Sequence, residues 1–68
     1  MNIKINGKSE TVNDQASIAD IVAARALAAD RIVVEHNYRI TAKDEWPGIA
    51  LRDNDNIEIV TFMGGGSR

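Results

Sequence analysis

The C-terminal stretch IEIVTFMGGG, residues 57–66, contains the pattern that decides the fold. Over its first seven residues the side chains alternate between two faces, with Ile57, Ile59, Thr61 and Met63 on one and Glu58, Val60 and Phe62 on the other. A period of two residues is typical of a β-strand. Gly64, Gly65 and Gly66 end this strand, since glycine in an ordered element costs roughly 0.5–1 kcal/mol relative to alanine. We therefore predict one domain over residues 1–63 and a flexible glycine-rich tail over residues 64–68.

The N-terminal residues form a second alternating segment. In NIKIN, residues 2–6, Ile3 and Ile5 share one face of a strand and the polar residues share the other. The dipeptide Asn6-Gly7 favours a type I′ turn, because both residues tolerate positive φ. The following SETVN, residues 9–13, predicts a returning strand with Val12 pointing inward. The chain is thus predicted to open with a β-hairpin.

Residues 17–29 have the signals of a short helix. Ser17 and Asp20 are spaced as in a capping box, in which the serine oxygen accepts a backbone N–H at the helix start. Ile18, Ile21 and Val22 fall at i, i+3 and i+4 and form a narrow apolar stripe. The stripe stops at Arg25, so we expect the helix to end near residues 25–27 and Leu27 to cover the core from the next turn.

The middle of the chain alternates short strands with turns. The β-branched segment at residues 31–35 predicts a strand, residues 36–38 a turn, and residues 39–40 a second short strand. Trp46 is followed by Pro47 and Gly48, so any helix there is expected to be a single turn, with the Trp46 ring folded onto the domain. The Asp- and Asn-rich residues 52–56 predict a further turn.

The resulting order, β-β-α-β-(β)-β, predicts an α+β fold. One main helix would pack on one face of a mixed four- to five-stranded sheet. The predicted core consists of Ile3, Ile5, Ile18, Ile21, Val22, Val34 and Ile59. This is the β-grasp arrangement, in which the first and last strands pair in parallel at the centre of the sheet.

Composition excludes several classes of function. The chain has 68 residues, 8 basic and 10 acidic side chains and a net charge of −2, which disfavours a nucleic-acid partner. It has no cysteine, so neither a disulfide nor a thiolate metal site is possible, which fits a reducing cytoplasm. The polar N-terminal strand differs from a signal peptide, and the apolar runs are too short to cross a membrane. We expect a cytoplasmic location.

The sequence offers no set of residues for catalysis or metal binding. His36 is the one histidine, and we expect it to be a surface or half-exposed residue at a strand end. The segment from Asp53 to Asn56 lacks the rest of a calcium-loop pattern and is better explained as a turn. The three glycines are not a phosphate-binding loop, because no helix and no Lys-Ser or Lys-Thr follow them. We predict a protein that is not an enzyme.

Four segments together resemble the ThiS family, the sulfur carrier proteins of thiamine (thiazole) biosynthesis, which have a ubiquitin-like β-grasp fold. They are MNIKINGK at residues 1–8, SIADIV at 17–22, VVEHN at 33–37, and DEWPGIALRDNDNIEIVTFMGGG at 44–66. The resemblance covers nearly the whole chain, residues 1–66. Its most characteristic features are the strand that leads to Asn37, the segment around Trp46, and the last strand that runs into the glycines.

The resemblance implies a carrier whose reactive group is the C-terminal carboxylate of Gly66, with Gly65 a lesser candidate. A ThiF-like adenylating enzyme would activate this carboxylate with ATP, and the carrier itself would bind no cofactor. Sulfur from a donor such as a cysteine desulfurase would convert it to a thiocarboxylate, and thiazole synthase would take the sulfur. The strand face around Val60 and Phe62 would be the docking surface for these partners, unless Phe62 packs in the core against Trp46.

The chain departs from the family pattern at Asn54, Arg25 and the C-terminal end. Ser67 and Arg68 follow the glycines. We expect that a protease removes them or that they are a cloning remnant, in preference to a loss of function. The alternatives to a carrier for thiazole synthesis are a β-grasp carrier for molybdopterin synthesis or for cysteine or tRNA thiolation, a ubiquitin-like protein modifier, and a non-catalytic interaction module.

Overall fold

The computed structural model describes residues 1–62. Within these residues the chain forms five strands, one α-helix and two 3-10 helices. The strands are β1 (Asn2–Ile5), β2 (Lys8–Thr11), β3 (Ile32–His36), β4 (Arg39–Thr41) and β5 (Asn56–Thr61), and the helix is α1 (Ile18–Ala24). The 3-10 helices are Ala29–Arg31 and Lys43–Gly48. In this part of the chain, no helix has the length and apolar character needed to span a lipid bilayer.

The strands form one mixed sheet in the order β2-β1-β5-β3-β4. β1 and β5 pair in parallel at its centre, where Ile5 lies opposite Ile57, and the other neighbouring strands are antiparallel. β1 and β5 have different neighbours on their other sides, so both are fully inside the sheet. The predicted β-grasp fold, with its first and last strands paired in parallel, is confirmed.

Both hairpins turn through residues with positive φ. Asn6 and Gly7 have φ values of 51° and 84°, as the predicted type I′ turn requires. Asn37 and Tyr38 have φ values of 50° and 70° in the turn between β3 and β4. Glycine and asparagine adopt this conformation readily, whereas a tyrosine at positive φ is uncommon.

The helix begins and ends as the sequence indicates. The Ser17 hydroxyl accepts from the Asp20 N–H at 3.2 Å, and the Asp20 carboxylate accepts from the Ser17 N–H at 2.9 Å, which completes the capping box. At the other end Ala26 has a φ of 55°. The Leu27 N–H then donates to Val22 O at 3.2 Å, as in a Schellman motif with alanine at the usual glycine position. Leu27 packs against the core, as predicted.

The core lies between the sheet and α1. Six of the seven predicted core residues are buried, and Ile57, Ile32, Leu51, Trp46 and Ala16 complete the cluster. The seventh predicted core residue, Ile59, packs against this cluster but is only partly buried. β1 ends at Ile5, so no strand flanks Ile59 on that side. The side chain of Asn6 takes its place, accepting from Ile59 N at 2.7 Å and donating to Ile59 O at 3.3 Å.

The segment around Trp46 differs from the prediction of a single helical turn. It is a 3-10 helix of six residues, Lys43–Gly48, with Pro47 inside it. Proline lacks one N–H, so it removes only one hydrogen bond from this short helix. Glu45 accepts from the Ala42 N–H at 2.8 Å and fixes the helix start. Trp46 is buried as predicted, and its Nε1–H donates to Thr41 Oγ1 at 2.9 Å.

Candidate functional site

The last strand, β5, is the middle strand of the sheet, and it ends at one end of the sheet. β5 ends at Thr61, and the Phe62 N–H donates to Arg31 O at 2.9 Å, so the antiparallel pairing with the β3 side extends one residue further. The predicted sulfur-carrying residues, Gly64, Gly65 and Gly66, lie outside the described residues. Phe62, four residues before Gly66 in the sequence, is the last residue that the structure describes.

The two predicted docking residues are exposed on the sheet face that α1 does not cover. Val60 is 55% exposed and Phe62 is 46% exposed. Ile57, on the same strand, points to the opposite side of the sheet from Val60 and Phe62 and is fully buried. Phe62 is therefore not part of the core around Trp46, and its aromatic surface is available to a partner.

Further residues extend this apolar surface. Val33 lies opposite Val60 in the β3–β5 pairing, and Ile40 lies opposite Glu35 in the β3–β4 pairing. Ile40 is 73% exposed. Alternation along the strands places these side chains on one side of the sheet. We call this surface the outer face and define it by six residues: Val33, Glu35, Ile40, Glu58, Val60 and Phe62.

Sequence reasoning placed Glu58, Val60 and Phe62 on one strand face and proposed only Val60 and Phe62 as docking residues. The signal for the others was present in the alternation of β3, which places Val33 and Glu35 on the side opposite Val34. It could not be used without the register of β3 against β5. Ile40 gave no periodic signal, because β4 has only three residues.

A polar cluster lies below the turns that precede β5 and follow β3. The Asp55 side chain is about one-tenth exposed and accepts three hydrogen bonds. They come from His36 Nε2–H at 2.8 Å, from Asn37 Nδ2–H at 3.0 Å and from the Arg52 N–H at 2.9 Å. Asn37 Oδ1 in turn accepts from the Asn56 N–H at 2.8 Å. The cluster joins the β3–β4 turn to the start of β5.

These contacts determine the charge state of Asp55. Burial alone raises the pKa of the Asp55 carboxyl, but the hydrogen bonds from His36, Asn37 and Arg52 outweigh burial and hold this pKa below its ordinary value. Asp55 is therefore a carboxylate at neutral pH. A carboxylate only accepts hydrogen bonds, so the proton of the His36 ring lies on Nε2.

The arrangement of this cluster is structural. The His36 side chain is 24% exposed, in agreement with the predicted half-exposed position at a strand end. Asp55 turns inward to the cluster while Asp53 accepts from the Asn2 N–H at 2.8 Å. Among residues 1–62, no group of three or more His, Cys, Asp or Glu side chains is placed to hold a metal ion.

A shallow groove of about 390 Å³ lies near this end of the sheet. It is lined mainly by amide, hydroxyl and ammonium groups, including those of Asn2, Lys4, Ser9, Tyr38 and Asn56. Among residues 1–62, no carboxylate or imidazole side chain lines this groove. Three of the four large hydrophobic side chains that are exposed in the described residues, Ile40, Val60 and Phe62, lie on the outer face, which makes it the best candidate for a binding surface.

The chain is similar in sequence and in fold to known proteins. The family model described as the ThiS family matches residues 3–66. The sulfur carrier protein ThiS of Bacillus subtilis is 37% identical over 65 residues, which cover 94% of this chain and 98% of that protein. The crystal structure of the thiamine biosynthesis protein (ThiS) from Geobacter metallireducens superposes with a TM-score of 0.83 at 30% identity, covering 97% of this chain and all of that one.

A longer curated relative matches as well. The thiazole synthase of Paramagnetospirillum magneticum is 30% identical over 67 residues, or 98% of this chain. The chain spans only 21% of that relative's length. The similarity thus concerns a segment of the synthase.

Proposed function

The chain belongs to the ThiS family, and we propose from this premise that it is a sulfur carrier protein in thiamine (thiazole) biosynthesis. The observation that carries the proposal is the extent of the family match, which runs through the last strand to residue 66 and so includes Gly64–Gly66. The full-length similarity to a protein named sulfur carrier protein supports the same role. The small size of the domain and the lack of a convergent catalytic set in residues 1–62 fit a carrier.

The reactive group is the carboxylate of Gly66 in a form of the chain that ends there. A carboxylate is a poor electrophile, so a ThiF-like enzyme first transfers AMP to it from ATP and releases pyrophosphate. The terminal sulfur of a persulfide on a donor such as a cysteine desulfurase then attacks the acyl carbon, and AMP leaves. A thiol reductant cleaves the S–S bond of the acyl disulfide formed in this way, is itself oxidised, and releases the thiocarboxylate. The thiocarboxylate that results donates its sulfur to thiazole synthase. The domain itself binds neither ATP nor another cofactor.

Glycine suits this chemistry for two steric reasons. Without a Cβ, the chain can pass close to the walls of an enzyme's active site and adopt conformations that other residues avoid. The acyl carbon of Gly66 is also unhindered toward attack by the sulfur nucleophile. Gly64 and Gly65, which also lack a Cβ, let the chain enter the active site, and the carboxylate of Gly66 is the group that takes up the sulfur.

The length of chain between Phe62 and Gly66 limits where the partner enzymes can bind. Gly66 lies four residues after Phe62, and four residues reach at most about 14 Å. An enzyme that acts on Gly66 must therefore come within this distance of Phe62. The exposed side chains of Val60 and Phe62 are the apolar surface at that position. They form the docking surface for the adenylating enzyme and for thiazole synthase.

Intact-mass spectrometry tests the proposed reaction. A form ending at Gly66 is incubated with ATP, the ThiF-like enzyme, a sulfur donor and a thiol reductant. We expect a mass gain equal to the exchange of one oxygen for sulfur, and no gain for a form that lacks Gly66. An unchanged mass for the first form, with an enzyme shown to be active on another carrier, would remove the carrier role. Covalent conjugates to other proteins would instead identify a protein modifier.

A matched pair of variants tests the docking surface. Phe62→Ala removes an exposed aromatic ring beside the tail, whereas Tyr38→Ala removes one that is 77% exposed at the β3–β4 turn. We expect the first variant to slow adenylation at least tenfold, the effect of a typical interface anchor, and the second to leave the rate within twofold. Equal rates for both variants would place the docking surface elsewhere.

A further inference from the structure

Two glutamates lie side by side in the centre of the outer face. Glu35 on β3 is directly opposite Glu58 on β5 in the antiparallel register. Residues directly opposite each other on one face of such a pair have Cβ atoms roughly 4.5–5.5 Å apart. Both side chains are half-buried, so each is only partly surrounded by water.

This pairing is unfavourable for the isolated domain. Like charges directly opposite on a sheet destabilise it, where favourable cross-strand pairs contribute roughly 0.2–1 kcal/mol. Among residues 1–62, neither Glu35 nor Glu58 forms a salt bridge with a lysine, arginine or histidine. Lys4 lies on the same face, opposite Asn56 and diagonal to Glu58, but in the described part of the molecule it forms no salt bridge with either glutamate.

Apolar side chains border the two carboxylates. Ile40 lies opposite Glu35 on β4, and Val33 and Val60 lie two positions along the strands on the same face. An exposed apolar surface around a charged centre is typical of a protein interface in which the charge fixes orientation. Phe62 continues the apolar surface to the end of the strand. The pair is therefore inside the region that an enzyme acting on Gly66 must approach.

We propose that the outer face docks a protein surface that places a basic side chain, an arginine or lysine, between Glu35 and Glu58. Apolar contacts with Val60, Phe62 and Ile40 surround this ion pair. Arginine fits best, because its planar guanidinium can donate to two carboxylates at once. The cation removes the repulsion between the glutamates, so docking relieves an unfavourable interaction of the free domain. This inference rests on the proposed function, since it concerns the partner of the same surface.

Charge-neutral variants of nearly equal shape provide the test. Glu35→Gln, Glu58→Gln and the double variant are compared with Asp44→Asn, which removes an exposed charge on the 3-10 helix Lys43–Gly48. That helix packs against α1, away from the outer face. Titration calorimetry with the purified ThiF-like enzyme gives Kd at low and high salt, and thermal unfolding of each free variant gives its stability.

We expect the double variant to bind at least about tenfold more weakly than the wild-type form, with a reduced dependence of Kd on salt. Its Tm should be equal to or above that of the wild type, because the repulsion is gone. Asp44→Asn should leave Kd within about twofold. A loss of binding together with unchanged or higher stability cannot arise from misfolding.

The outcome separates this inference from the proposed function. Unchanged or tighter binding by the double variant, while the wild-type form binds and gains sulfur, would overturn the basic-partner inference and leave the carrier role intact. Self-association through the outer face that the double variant strengthens would also overturn it. A wild-type form that neither binds nor gains sulfur would remove the proposed function itself.

Discussion

Replacing Asp55 with alanine should destabilise the domain more than any other single change in the turn before β5. The carboxylate accepts hydrogen bonds from His36, Asn37 and the Arg52 N–H, all at 3.0 Å or less. These bonds connect the β3–β4 turn to the start of the central strand β5. Their loss would release both segments at once.

The size of the effect follows from the three bonds. A typical hydrogen bond contributes about 1 kcal/mol net, and one to a charged group more. Asn37 and Arg52 are exposed, so their donors can bind water after the substitution, and the lower value applies. We expect a loss of roughly 3 kcal/mol from a domain whose stability at this length is roughly 3–10 kcal/mol. For a domain of this size the Tm should fall by about 12–24 °C.

The matched control is Asp53→Ala, two residues away in the same turn. Asp53 is exposed and accepts one hydrogen bond, from the Asn2 N–H at 2.8 Å. Its substitution should cost about 1 kcal/mol or less. Urea unfolding monitored by Trp46 fluorescence measures both variants. A difference of less than about 1 kcal/mol between them would refute the assignment of Asp55 as the central acceptor.

Three further predictions concern the same domain. Because the folded-state pKa of Asp55 is lowered, the stability that its carboxylate contributes is present above the unfolded-state pKa of about 3.9 and is lost as pH falls through the folded-state pKa. Urea unfolding from pH 7 to 2 should therefore show a smaller loss of stability in acid for Asp55→Asn than for the wild type. An equal dependence of stability on pH in both proteins would contradict the lowered pKa. Ile5→Ala should cost about 2–5 kcal/mol and Ile40→Ala less than about 0.5, since they are 1% and 73% exposed; equal losses in urea would overturn this burial assignment. Ala26→Gly should raise stability by about 0.5–1 kcal/mol, because glycine relieves the positive φ of 55° but loses more entropy on folding; a lower Tm in calorimetry would argue against a strained cap.

Much of the fold followed from local signals in the sequence. Asn6-Gly7 specified a turn, Ser17 and Asp20 specified the helix start, and the alternation of Ile3 and Ile5 specified the inward face of β1. Each of these signals acts between residues a few positions apart, so it can be recognised without knowing the fold. The glycine end of the candidate site was equally visible, although residues 63–68 lie outside the described part of the chain.

Other features depended on contacts between distant segments. Ile57 and Ile59 occupy equivalent positions in the alternating pattern, yet only Ile57 is fully buried. The reason is that β1 pairs with β5 at only two positions and ends at Ile5, opposite Ile57, so it does not extend alongside Ile59. Asp55 looked like one more turn residue until the fold placed His36 and Asn37 against it. Long-range register, which no local pattern encodes, decided these positions.

The sequence by itself determined that this chain forms a small β-grasp domain followed by Gly64, Gly65 and Gly66. Only the tertiary structure decided which surface stands beside that end. The pairing of β3 with β5 sets Val33 against Val60 and Glu35 against Glu58, and α1 covers the other side of the sheet. Local periodicity fixes which residues share a face of one strand, but strand pairing fixes which faces join into one surface, because it requires contacts between residues more than twenty positions apart.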